Sequence, residues 1–132
     1  MSVRWTIDRS RELVEIVLED ETTEDDVRRF FDALETAGAV PYRKLFDATK
    51  ALAKIDNRVL AAVGQRIAGY RNPGPIGIVL SPGGPIEGYA KLFLMAVDAE
   101  SRARFFHTEA EARAWLDAYV APRSGGSGAS SA

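Results

Sequence analysis

The sequence predicts an α/β domain in which strands and helices alternate along one mixed sheet. Three observations carry that expectation. Short apolar or alternating stretches recur: Val3–Asp8 (VRWTID), Leu13–Leu18 (LVEIVL), Tyr42–Asp47 (YRKLFD) and Ile76–Leu80 (IGIVL). Between them, apolar residues fall at helical spacing. The chain then reaches Arg102–Leu116 (RARFFHTEAEARAWL), which reads as a strand, a cap and an amphipathic helix in close succession.

Val3, Trp5 and Ile7 alternate with Arg4, Thr6 and Asp8, the pattern of a half-buried strand. After the polar break Asp8–Arg11, Leu13–Leu18 forms the second arm of an antiparallel hairpin. Thr22 and Thr23 offer N-caps to a helix whose core face is Val27, Phe30, Phe31 and Leu34. Gly38 stops that helix and Pro41 reinforces the stop. Tyr42–Asp47 is the third strand. Asp56 is placed to N-cap a second helix bearing Val59, Leu60, Val63, Ile67 and Tyr70. Ile76–Leu80 is apolar and β-branched, as a strand covered on both faces should be. A helix carrying Tyr89, Leu92, Phe93, Ala96 and Val97 follows the turn Ser81–Pro85. In the closing unit, Thr108 and Glu111 form a capping-box pair, and Ala112, Trp115, Leu116 and Tyr119 share one face, with Trp115 as an anchor and Trp115 and Leu116 together expected to lock the helix against the sheet.

The expected order is therefore ββαβαβαβα, with four helices. Strand–helix–strand crossovers demand parallel pairing, so about five strands form a sheet that is parallel except at the hairpin. Residues 1–121 form one domain. Pro122–Ala132 (PRSGGSGASSA) is a flexible native tail or an appended linker.

Composition narrows the function classes. The chain has 132 residues, 46% of them hydrophobic and 27% charged, and its net charge is −2. A chain of this size buries roughly two-thirds of its surface and needs no staples. A nucleic-acid binder would concentrate basic residues in a stripe, and none is visible. The absence of cysteine removes disulfides, thiolate catalysis and cysteine-ligated metals. The start MSVRWTID lacks an apolar signal core, and the uncharged run Asn72–Ile86 is too rich in Pro and Gly to span a membrane. The expectation is a cytoplasmic protein without stable membrane insertion.

No complete catalytic constellation appears, so no catalytic residue, cofactor or metal is expected. Glu19, Asp20, Glu21, Glu24, Asp25 and Asp26 crowd one turn, but a calcium loop needs a glycine at its bend. Carboxylates are favourable at a helix N-terminus, which explains the cluster without a metal. His107 is the only histidine, and no G-x-S-x-G elbow accompanies it. Ser81–Pro85 follows a central strand, where an open α/β sheet places ligands, yet neither the P-loop pattern nor GxGxxG is present. Asp47 and Asp56 could meet across the loop mouth as an acid–base pair. The expected functional edge combines Asp47, Thr49, Asp56, Asn57, Ser81, Gly83 and Gly84, all expected in loops at the carboxyl ends of strands. Tyr89 and Phe93 are candidates to line an apolar pocket.

The element order, the segment LAKIDNRVLAAV and the stretch RFFHTEAEARAWL resemble the small bacterial SpoIIAA-like proteins of the STAS domain superfamily, a fold akin to CRAL-TRIO lipid-binding domains. The resemblance covers roughly residues 3–120. It implies a non-enzymatic binding or regulatory module with a protein partner, or alternatively a carrier of a small apolar ligand, acting as a monomer or homodimer. In signalling members of the superfamily, Asp-Ser opens a helix and the serine is phosphorylated. Here Asp56 takes the aspartate position and Asn57, which has no hydroxyl, stands in the serine's place. The usual phospho-switch is therefore not expected, and binding would be constitutive.

Overall fold

A computed structural model describes residues 3–20, 22–51, 57–82 and 103–119. They form a five-stranded sheet in the spatial order β1-β2-β3-β4-β5, comprising β1 (Val3–Asp8), β2 (Leu13–Asp20), β3 (Arg43–Ala51), β4 (Ile76–Val79) and β5 (Ala103–Phe106). β1 and β2 pair antiparallel, with Trp5 opposite Ile16. The other neighbours are parallel. The helices are α1 (Glu24–Ala37), α2 (Asn57–Ala68) and α3 (Glu109–Ala118). The helix expected over Tyr89–Val97 lies outside the described residues. Parallel neighbours such as β4 and β5 need a long crossover, and residues 80–102 supply its length.

Strand alternation divides the core between two faces. Val3, Val14, Ile16, Ile76 and Ile78 join Val27, Phe30, Phe31 and Leu34 of α1 and Val59 and Ile67 of α2 in the larger cluster. Trp5 and Phe46 meet the Phe30 ring edge-on, at centroid distances of 5.5 and 5.8 Å. The opposite face buries Leu13, Leu45 and Val79 against Ala112 and Leu116 of α3. β4 is buried at every residue, as its composition predicts for a central strand.

The caps follow local chemistry. Thr23 accepts from the Asp26 N–H and Asp26 accepts from the Thr23 N–H, a complete capping box. Gly38 ends α1 in the left-handed region at φ 68°. At α3 the box is only half formed. Thr108 Oγ1 accepts from the Glu111 N–H at 3.2 Å, but Glu111 takes the threonine hydroxyl proton at 3.0 Å rather than the Thr108 N–H.

Two further expectations are corrected. β3 does not close at Asp47 but continues to Ala51, because the acidic end of β2 extends with it and pairs Glu19 with Lys50. Of the two expected lock residues, Leu116 is buried as expected, 2% exposed and in contact range of Gly77, whereas Trp115 packs against this cluster only in part. Trp115 is only half-buried, tilted against Phe106 and edge-on to Tyr119 at centroid distances of 5.8 and 5.3 Å. Among the described residues, no helix is long and apolar enough to cross a membrane.

Candidate functional site

The parallel strands align their carboxyl ends, and this alignment builds the site. Asp47 pairs with Val79, and Val79 pairs with Phe106. Two residues past Asp47 and Val79, Thr49 and Ser81 are neighbours, and the Ser81 hydroxyl donates to the Thr49 carbonyl at 3.3 Å. Leu80 donates its N–H to Phe106 at 2.9 Å, and His107 Nδ1 lies 3.2 Å from the Leu80 carbonyl. Thr49, Ser81 and His107 thus follow one another along the rim.

The register between β2 and β3 shifts at this point. Val17 pairs with Asp47, but Glu19 pairs with Lys50, so β3 carries one extra residue at Ala48–Thr49. Such bulges release an amide from the ladder and re-aim side chains. Asp47 Oδ1 takes over the freed group, accepting from the Thr49 N–H at 3.0 Å and from Thr49 Oγ1 at 2.6 Å. Asp47 is half-buried and Thr49 is exposed. Thr49 was expected in a loop. It lies within β3 because the strand continues through the bulge.

Of the sequence-predicted residues, Asp47, Thr49 and Ser81 come together here. Asn57 opens α2. Asp56, Gly83, Gly84, Tyr89 and Phe93 lie outside the described residues, and with them both the Asp47–Asp56 pair and the expected apolar pocket. The Ser81 hydroxyl is committed to a backbone carbonyl. Among the described residues, no group of three His, Cys, Asp or Glu side chains could hold a metal ion. In the acidic turn, Asp25 pairs with Arg28 and Arg29, Asp26 with Arg29, and Glu19 with Arg4.

One notable residue escaped the sequence analysis. Lys44 is 3% exposed at the amino end of β3, on the same strand face as Phe46. Its Nζ donates to the carbonyls of Val40 at 2.5 Å, Tyr42 at 2.8 Å and Pro73. Burial pulls its pKa from 10.5 down to about 7. The two loops that it joins also touch directly. Gly74 adopts φ 72°, and a Cβ there would stand 2.7 Å from the Pro41 carbonyl oxygen. The only sequence signal was that Lys44 shares the period-2 face of Phe46 and Ala48.

No family model matches the chain, and no curated protein matches it. Among solved structures, the protein TM1081, determined by NMR, is similar over 87% of this chain and 88% of its own length, with a TM-score of 0.58 and 17% sequence identity. At that identity the likeness shows a shared fold and nothing about activity.

Proposed function

We propose that this protein is a non-enzymatic, STAS-like binding or regulatory module that recognises a protein partner through the carboxyl rim of its sheet. The observation that carries the proposal is the convergence of Asp47, Thr49 and Ser81 on an exposed, bulged strand end, opposite an end whose loops are sealed around Lys44. Rigid strands hold these polar groups in place, so little ordering entropy is lost on binding. In the STAS-like architecture a fourth helix belongs between β4 and β5, and Asn57 at the start of α2 removes the serine on which a phosphorylation switch would act. Binding is then constitutive, in the cytoplasm.

The test is cross-linked capture from the cells that make the protein, comparing wild type with Thr49→Arg at the rim and Arg71→Ala at the amino end. The proposal expects a specific protein that Thr49→Arg loses and Arg71→Ala retains. A partner captured equally by all three, or lost only with Arg71→Ala, contradicts it.

A further inference from the structure

Lys44 takes no part in the rim, and its surroundings are unusual for a charged group. It is almost fully buried, and the groups that receive its three N–H bonds are all backbone carbonyls, in the α1–β3 loop and in the loop between α2 and β4. Its backbone N–H donates to Pro75 at 2.9 Å, so main chain and side chain grip the same loop. The titratable groups on the elements around it include Tyr42 and Arg43 just before it in the chain, Glu12 in the β1–β2 turn, Asp32 and Glu35 in the later turns of α1, Arg66 on α2, and Tyr70 and Arg71 just after α2. Asp32, Glu35, Arg66 and Tyr70 are occupied with one another. Tyr70 Oη donates to Glu35 at 2.6 Å, and Arg66 donates to Glu35 at 2.7 Å and to Asp32 at 3.0 Å. Lys44 therefore sits among dipoles without a compensating carboxylate in contact among the described residues.

We propose that Lys44 is a proton-linked latch: parting the 39–42 and 73–75 loops exposes its amine to water and couples opening to proton uptake, so the clasp tightens as pH rises. In the closed clasp, burial holds the amine at about 7. In the open clasp it is solvated and returns to the ordinary lysine value of about 10.4. Between those values the open form binds more protons than the closed form, so raising the pH favours the closed form. Below about pH 7 both forms carry the proton and the dependence vanishes.

Two measurements test the latch. The first follows the Lys44 side-chain ε-CH2 resonance by NMR from pH 6 to 11 in the wild-type protein. The proposal expects a midpoint near 7, and a midpoint at or above 10 overturns it. The second is hydrogen exchange at the Lys44 amide, corrected for intrinsic rate. Its opening constant should fall roughly thirtyfold between pH 6 and pH 8.5. A pH-independent opening constant in wild type also overturns the latch. In Lys44→Met the dependence should vanish, and its persistence there would assign it to another group. Should that variant fail to fold, the wild-type titration and the wild-type exchange together decide.

Discussion

At the amino ends of β3 and β4, two loops lie backbone against backbone, a lysine is buried between them, and the one position with room for no side chain is a glycine. At the carboxyl ends of the same strands, a bulge interrupts the ladder, Thr49 is exposed, and the hydrogen bonds run among short polar side chains and nearby backbone. One sheet thus carries a closed end and an open end. The closed end has few ways to change without breaking buried bonds. The open end tolerates change because its groups already face water, and tolerance of that kind is what recognition requires of a surface.

Substitutions should separate the two ends by size of effect. Gly74→Ala should be the most damaging, at about 3 kcal/mol, because a left-handed backbone and a clash with the Pro41 carbonyl combine. Gly38→Ala, at φ 68° with nothing within 4 Å of its Cβ, should cost only about 1–2 kcal/mol, and denaturant midpoints at unchanged slope measure both. Equal losses would show that the loops at the amino end part easily. Next comes Lys44→Met. It leaves three carbonyls without their donor, at about 1–3 kcal/mol for each one that stays dry, and removes a buried charge whose own cost offsets part of that loss. Because the wild-type cost of burying the charge fades above about pH 7, the gap between wild type and Lys44→Met should widen as pH rises toward 10, read from unfolding curves at several pH values. A gap that is constant or narrows would mean that the amine keeps its proton throughout. Asp47→Ala should cost about 1 kcal/mol, since the Thr49 amide loses its acceptor but can turn to water. Ser81→Ala should stay within about 0.5 kcal/mol by thermal unfolding.

The strands and helix faces were legible because they repeat locally. VRWTID shows its alternation within six residues, and Val27, Phe30, Phe31 and Leu34 show theirs within one helix face. The length of β3 was not legible. Ala48–Ala51 has no apolar alternation and joins the sheet only because Glu19 and Asp20 of β2 run alongside it. Trp115 and Leu116 share a helical face in the sequence, and only the position of α3 over β4 decides that the leucine is covered while the tryptophan lies toward the edge. The rim was half legible. Asp47, Thr49 and Ser81 could be assigned to strand ends, but the bulge that binds Asp47 to Thr49 depends on pairing with a distant strand. Lys44 was hidden for the same reason. A lysine in a strand reads as solvent-facing, and its burial comes from Pro73, far along the chain.

The contrast between the ends is tested most directly by amide hydrogen exchange on the wild-type protein at a single neutral pH, comparing the Lys44 N–H, bonded to Pro75 at the closed end, with the Thr49 N–H, bonded to the Asp47 side chain at the open end. We expect the Lys44 amide to exchange only when the clasp opens, and the Thr49 amide to exchange orders of magnitude faster. Comparable protection at the two amides, or faster exchange at Lys44, would contradict a sheet with one closed end and one open end.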